Sequence, residues 1–209
     1  QTDELTDIVS TIAGDERLQA ALLAGDLPRV RSLLFNFASL DPTSEDQTEL
    51  QIIDRQGRVV ATSSLVPEPP RLLDISTVEA VLDGQRPAGI RQVGSDQFRV
   101  LATSVLTVPS GDRWVIIAAA PTTRPLLRFS TAMGGEAFML STRGRLIDGT
   151  NVDLWRRLAL ELPQRTATVT QAELNDRLFA VTAVPLTDLS AGFAGLLVVV
   201  QDATASLSA

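Results

Sequence analysis

QIIDRQGRVVATSS, Gln51 to Ser64, is the stretch on which the reading of the fold turns. Ile52 and Ile53 precede Asp54-Arg55-Gln56-Gly57, and Val59 and Val60 follow it. β-Branched pairs on both sides of a polar turn predict two short strands. Asp at the first turn position and Gly at the fourth suit a type I turn closed by a left-handed glycine, the chemistry of a bulged hairpin. FMLSTRGRLIDGT, Phe138 to Thr150, repeats the design: Gly144 stands for Gly57, Arg145 for Arg58 and Ser141 for Asp54.

Working outward, the elements after each hairpin recur in one order. After the first come the Pro-rich stretch Pro67 to Pro70 and Asp74-Ile75-Ser76, a cap for a helix through Val78, Val81 and Leu82 that Gly84 ends. Three extended runs follow, Gly89–Val93, Phe98–Val108 and Arg113–Ala120. After the second come a helix through Val152, Leu154, Trp155, Leu158 and Leu162, then strands Arg165–Thr170, Arg177–Leu186 and Gly192–Gln201. The repeat is about 80 to 87 residues long. Two copies of a strand, strand, helix, strand, strand, strand plan imply two antiparallel sheets, each with helix cover.

Upstream of both hairpins the period is helical. Leu5, Ile8, Val9 and Ile12 form one apolar stripe, Asp15 caps a turn leading to Leu18, Ala21 and Leu22, and Asp26-Leu27-Pro28 restarts a helix carrying Val30, Leu33, Leu34 and Phe37. About 40 helical residues result, broken near Gly14 and Gly25, before the polar loop Asp41–Gln47. The stripe suits either a dimer seam or the chain's own sheets. The predicted class is α+β: an N-terminal helical segment (1–40), a first module (41–123) and a second (124–209).

Composition removes whole classes of function. The net charge of −7 disfavours phosphate-backbone binding, so no nucleic-acid partner is expected. All 18 basic residues are arginine, and cysteine and histidine are absent. No Lys-dependent nucleotide loop, Ser-His-Asp triad, thiolate nucleophile or His/Cys metal site is therefore available. Carboxylates such as Asp54 and Asp148 sit in turns without calcium-loop spacing. No catalytic residue, no cofactor and no metal is expected. No apolar run approaches the roughly 20 residues that span a bilayer. Membrane attachment would lie in helices outside this segment.

QIIDRQGRVVATSS resembles the opening hairpin of Cache (PAS-like, PDC-type) sensor domains, and PLTDLSAGFAGLLVVVQDAT, Pro185 to Thr204, resembles their closing hairpin. A long N-terminal helix before two such units is similar to the double-Cache arrangement. That resemblance implies two tandem PAS-like modules in the periplasmic or extracellular part of a bacterial inner-membrane receptor. Its output domain would be a histidine kinase, cyclase, diguanylate cyclase or chemotaxis signaller. It also implies a small-molecule ligand in the membrane-distal first module, and signalling as a homodimer, here through the N-terminal helix. The absence of tyrosine disfavours the amino-acid-binding subgroup, which surrounds an Arg-Trp pair with tyrosines. A ligand-free dimerisation or periplasmic protein-binding module is the alternative.

Within the first module, period 2 places Arg99, Leu101, Thr103 and Val105 on one face of their strand. Arg91 lies on the preceding strand. Two guanidinium forks beside a threonine hydroxyl suit a small carboxylate; the alternative is a solvated face on which the arginines pair with Asp96 or Glu79. Ser63 and Ser64 complete the candidate ligand-binding set, or serve their own backbone. Trp114 and Trp155 are expected to pack.

Overall fold

The N-terminal segment folds as three helices whose ends are set by residues that favour helix starts and stops. In a computed structural model, which describes residues 2–39, 48–66, 70–94, 97–189 and 191–204, α1 (Thr2–Ala13) ends at Gly14. α2 (Glu16–Leu23) begins at Asp15, whose carboxylate accepts the Leu18 amide. α3 (Leu27–Ala38) begins at Asp26, which accepts the Arg29 amide, with Pro28 in its first turn. Aspartate caps and an early proline stabilise helix starts by answering or removing orphan amides. The loop Asp41–Gln47, the prolines Pro67 and Pro69, Asp96 and the tail after Thr204 fall outside the described residues.

Two five-stranded antiparallel sheets follow, with one topology used twice. The first comprises β1 (Glu49–Ile53), β2 (Val59–Thr62), β3 (Ala88–Val93), β4 (Gln97–Thr107) and β5 (Arg113–Pro121), in the order β2-β1-β5-β4-β3. α4 (Ile75–Leu82) connects β2 to β3. The second comprises β6 (Glu136–Leu140), β7 (Leu146–Gly149), β8 (Thr168–Leu174), β9 (Arg177–Thr187) and β10 (Phe193–Asp202), in the order β7-β6-β10-β9-β8. α5 (Thr123–Met133) precedes β6 and α6 (Val152–Leu158) connects β7 to β8. The chain divides into two compact units, residues 1–93 with 99–121 and residues 94–98 with 122–209. The architecture is α+β with two tandem PAS-like modules.

The duplicated hairpins share their backbone-amide bonds. Asp54 accepts the amides of Gln56 and Arg58, both at 2.9 Å, and Ser141 accepts those of Arg143 and Arg145 at 3.2 and 3.1 Å. Gly57 and Gly144 both have φ +74°, a backbone state that glycine adopts without a Cβ penalty. Beyond each turn a hydroxyl closes the strand pair. Ser63 accepts the Leu50 amide at 2.9 Å and returns its own amide to the Leu50 carbonyl; Thr150 does both for Ala137.

Helices α1 to α3 belong to the first unit and cover one face of its sheet. Leu5, Val9, Ile12, Leu18, Val30 and Leu34 pack there against Leu50, Ile52, Val100, Ala102, Ile116 and Ala118. The stripe read as a possible dimer seam is thus occupied by the chain's own sheet: Leu5, Val9 and Ile12 are buried within the chain and Ile8 is half-buried. Burial of this apolar face against a sheet already on the same chain removes it as a seam. α4 packs on the opposite face, against β5. In the second unit Trp155 of α6, with Leu160 and Leu162 beyond it, covers Phe138, Val181, Val198 and Val200. α6 is shorter than its apolar pattern implies, because Ala159 turns left-handed (φ 45°) and Leu162 packs from the following loop. α5, which has no counterpart in the duplicated order, lies between the repeats and packs on β6 and β7.

Candidate functional site

The α4 face of the first sheet carries an unusual row of side chains. Strand register sets Thr62, Gln51, Ile117 and Thr103 side by side across β2, β1, β5 and β4. The next row is Glu49, Ala119 and Leu101. In the second unit the same positions read Gly149, Phe138, Val198 and Ala183, then Glu136, Val200 and Val181. Phe138 fills its place tightly: its ring lies 5.0 Å from that of Trp155, and a Cβ on Gly149 would come within 2.6 Å of it. Three polar side chains in the first unit therefore replace an all-apolar row in the second.

Gln51 is the centre of this face. It is completely buried, and its amide nitrogen donates to the Glu49 carboxylate at 2.8 Å and to the Pro70 carbonyl at 3.1 Å. Two acceptors on one side fix the amide orientation, since a flip would set its oxygen against both. Its oxygen, Oε1, is left buried with no partner. Glu49 is half-buried and its second oxygen has no protein donor among the described residues. The corresponding Glu136 is fully occupied, by the Thr150 hydroxyl at 2.5 Å and the Asn151 amide at 3.3 Å.

Asp74 joins the start of α4 to β3. It caps the helix by accepting the Thr77 amide at 2.8 Å, and also accepts the hydroxyls of Thr77 and Ser76. Its other oxygen receives both Arg91 terminal nitrogens at 3.2 Å. Burial by itself would raise the Asp74 pKa. The Thr77 hydroxyl and amide, the Ser76 hydroxyl and the Arg91 guanidinium outweigh it and hold the carboxyl well below the usual carboxylate range.

Arg91 is half-buried and pairs with Asp74, not with Glu79, while Asp96 lies outside the described residues. A helix cap is the better partner because it is fixed in place on the neighbouring element. Arg99 is half-buried on β4 opposite Pro121, at the end of the α4 face. Thr103 is buried on that face, and its hydroxyl donates to the Pro87 carbonyl at 2.8 Å. The Ser63 hydroxyl serves Leu50, and that of Ser64 accepts the Val66 amide at 3.2 Å. Both serines complete local backbone structure. Trp114 packs on the first core and Trp155 on Phe138.

Gln51, Glu49 and Asp74 are absent from the sequence-derived set. The signal for Gln51 was present: a glutamine inside the apolar run Leu50-Gln51-Ile52-Ile53, standing where the repeat has Phe138. Among the described residues no group of three His, Cys, Asp or Glu side chains converges to hold a metal ion, and no helix is long and apolar enough to cross a membrane.

The chain is similar to the sensor domain of the histidine kinase DctB of V. cholerae, with TM-score 0.60, 14% identity, and 96% of this chain and 89% of that chain covered. It is also similar to the periplasmic domain of V. cholerae LuxQ, with TM-score 0.58, 11% identity, and coverage of 95% and 91%. The chain shares the fold of these two domains. A third similar structure is the sensory domain of the Campylobacter jejuni chemoreceptor Tlp3 with isoleucine bound, with TM-score 0.53, 13% identity, and coverage of 95% and 82%. No protein-family model matches the sequence, and no curated protein matches it.

Proposed function

We propose that this chain is the extracytoplasmic ligand-sensing domain of a bacterial membrane signalling receptor, and that its small-molecule site is the α4 face of the first unit. One observation carries the reading. The two units share topology, turns and closing hydroxyls, yet where the second is filled by Phe138, Trp155 and Val200, the first has Gln51 and Ala119. A fold used twice, with an aromatic side chain at one position of one copy and a polar one at the same position of the other, differs in the way that binding in one copy only would require. The shared fold with sensor domains, one of them holding isoleucine, supports the same reading by analogy.

Binding under α4 acts as a population shift. A ligand that contacts both the helix and the sheet favours one placement of α4, and β5, at the centre of that sheet, runs through Pro121 directly into α5 of the second unit. The role is binding, not catalysis. Homodimerisation through the N-terminal helices would have to use residues of α1 other than Leu5, Val9 and Ile12, which the chain's own sheet buries.

The test is a thermal-shift screen of the chain against amino acids, amines, organic acids and sugars, with Ala119→Val as the control. A ligand at about 100 times its Kd adds about 2.7 kcal/mol to stability, a rise of several degrees. Ala119→Val copies the second unit's residue and is expected to abolish the rise while leaving the fold intact. If no compound stabilises the wild-type chain, or if the hit stabilises Ala119→Val equally, the site assignment is wrong.

A further inference from the structure

On the α4 face of the first unit, the groups nearest the core have given up their donors. Both protons of the Gln51 amide point at Glu49 and Pro70, and the Thr103 hydroxyl proton points at Pro87. What these groups still offer is acceptors: the buried Oε1 of Gln51 and the second oxygen of Glu49. The guanidinium of Arg91, which would attract an anion, already faces the Asp74 carboxylate.

Resting on the function proposed above, we infer that the ligand is a small primary amine, whose ammonium group donates to Gln51 Oε1 and to Glu49 and which needs no carboxylate. The small carboxylate suggested by the arginines in the sequence would set oxygen against oxygen at Gln51 and anion against anion at Glu49. An ammonium instead supplies three donors and a positive charge where the buried Gln51 oxygen lacks a donor. The second unit provides the internal contrast: there the apolar ring of Phe138 takes the place of Gln51, and Glu136 is fully hydrogen-bonded.

The experiment is titration of the whole chain with ethylamine, ethanolamine and putrescine on one side and propionate, glycolate and succinate on the other, followed by thermal shift and calorimetry. At least one amine is expected to stabilise the wild-type chain, and the carboxylates are not. Gln51→Met, which keeps the length and removes both amide groups, is expected to weaken that amine at least about tenfold, the cost of losing a partner for a buried polar group. Glu49→Gln, at a half-buried position that tolerates the change in charge, is expected to weaken it by a similar factor and covers the case in which Gln51→Met does not fold. Stabilisation by the carboxylates and not by the amines overturns the inference, as does an amine whose affinity is unchanged in both variants. Another compound from the wider screen that stabilises the wild type but not Ala119→Val would sink the amine and leave the site standing. If nothing stabilises the wild type, the sensing role falls with it.

Discussion

Replacing Asp74 separates two jobs that one carboxylate does. Asp74→Ala removes both the helix cap and the link to β3, while Asp74→Asn keeps a capping oxygen and removes only the charge. Loss of an aspartate cap costs about 1 kcal/mol. The Asp74 side chain is 41% exposed and that of Arg91 20%, so solvent screens the ion pair and it contributes about 0.5 kcal/mol. Asp74→Ala should therefore cost about 1.5 kcal/mol at neutral pH, and Asp74→Asn about 0.5 kcal/mol. The assay is urea unfolding followed by Trp114 fluorescence in a Trp155→Phe background, because Trp114 packs on the first core and Trp155 on the second. The pH dependence has a definite sign. The folded-state pKa of Asp74 is depressed, so its charge stabilises fully above the unfolded value of about 3.9, and that stabilisation is lost as pH falls from there through the folded value. The gap between wild type and Asp74→Asn should accordingly close below about pH 4. In the double-mutant cycle, Asp74→Asn and Arg91→Ala together should cost about 0.5 kcal/mol less than their sum. Equal costs for Asp74→Ala and Asp74→Asn, or a gap that widens as the pH drops, would refute the division of labour.

Two further outcomes follow from the duplication. Ser63→Ala and Thr150→Ala each strand one strand amide, that of Leu50 or Ala137, and should cost about 1 kcal/mol apiece in urea unfolding of their own units; ligand response should survive Ser63→Ala, since that hydroxyl is committed to the backbone. Phe138→Ala should destabilise the second unit by about 4 kcal/mol and shift Trp155 emission to the red, because the ring is completely buried against the indole; unchanged Trp155 emission would show that Phe138 does not close that unit.

The fold was legible because its signals are local. Asp15, Asp26 and Asp74 each mark a helix start in the sequence, and each caps one by bonding an amide three residues ahead. Asp54-x-x-Gly57 and Ser141-x-x-Gly144 marked the two hairpins, since backbone turns depend on a few side chains at fixed spacing. α5 was less legible: it falls between the repeats, so the duplicated order gave no template for it. The start of β8 at Thr168, later than the Arg165 at which an extended run begins in the sequence, reflects the loop after Ala159 that carries Leu160 and Leu162 over the sheet. The candidate site was legible only in outline. Alternation put Thr103 on the correct face of β4, but what its hydroxyl bonds to depends on Pro87, and the partner of Arg91 depends on where α4 starts. Such pairings are set by tertiary packing between residues far apart in sequence.

The two units differ in what stands at the position of Gln51. An unpartnered buried acceptor such as Gln51 Oε1 costs about 1–3 kcal/mol, and a leucine or phenylalanine at that position would remove the cost. The second unit has made that substitution at Phe138 and gains a packed core with Trp155. In the first unit, Ala119 on β5 and the orphan oxygen on β1 lie in adjoining rows of the same face, so the smaller side chain and the unpartnered acceptor are neighbours. Local defects of this kind concentrate where a structure is built to receive something. On the function proposed above, a ligand bound at Gln51 would stabilise the first unit alone and thereby change its energy relative to the second, the asymmetry that sensing by two like halves requires.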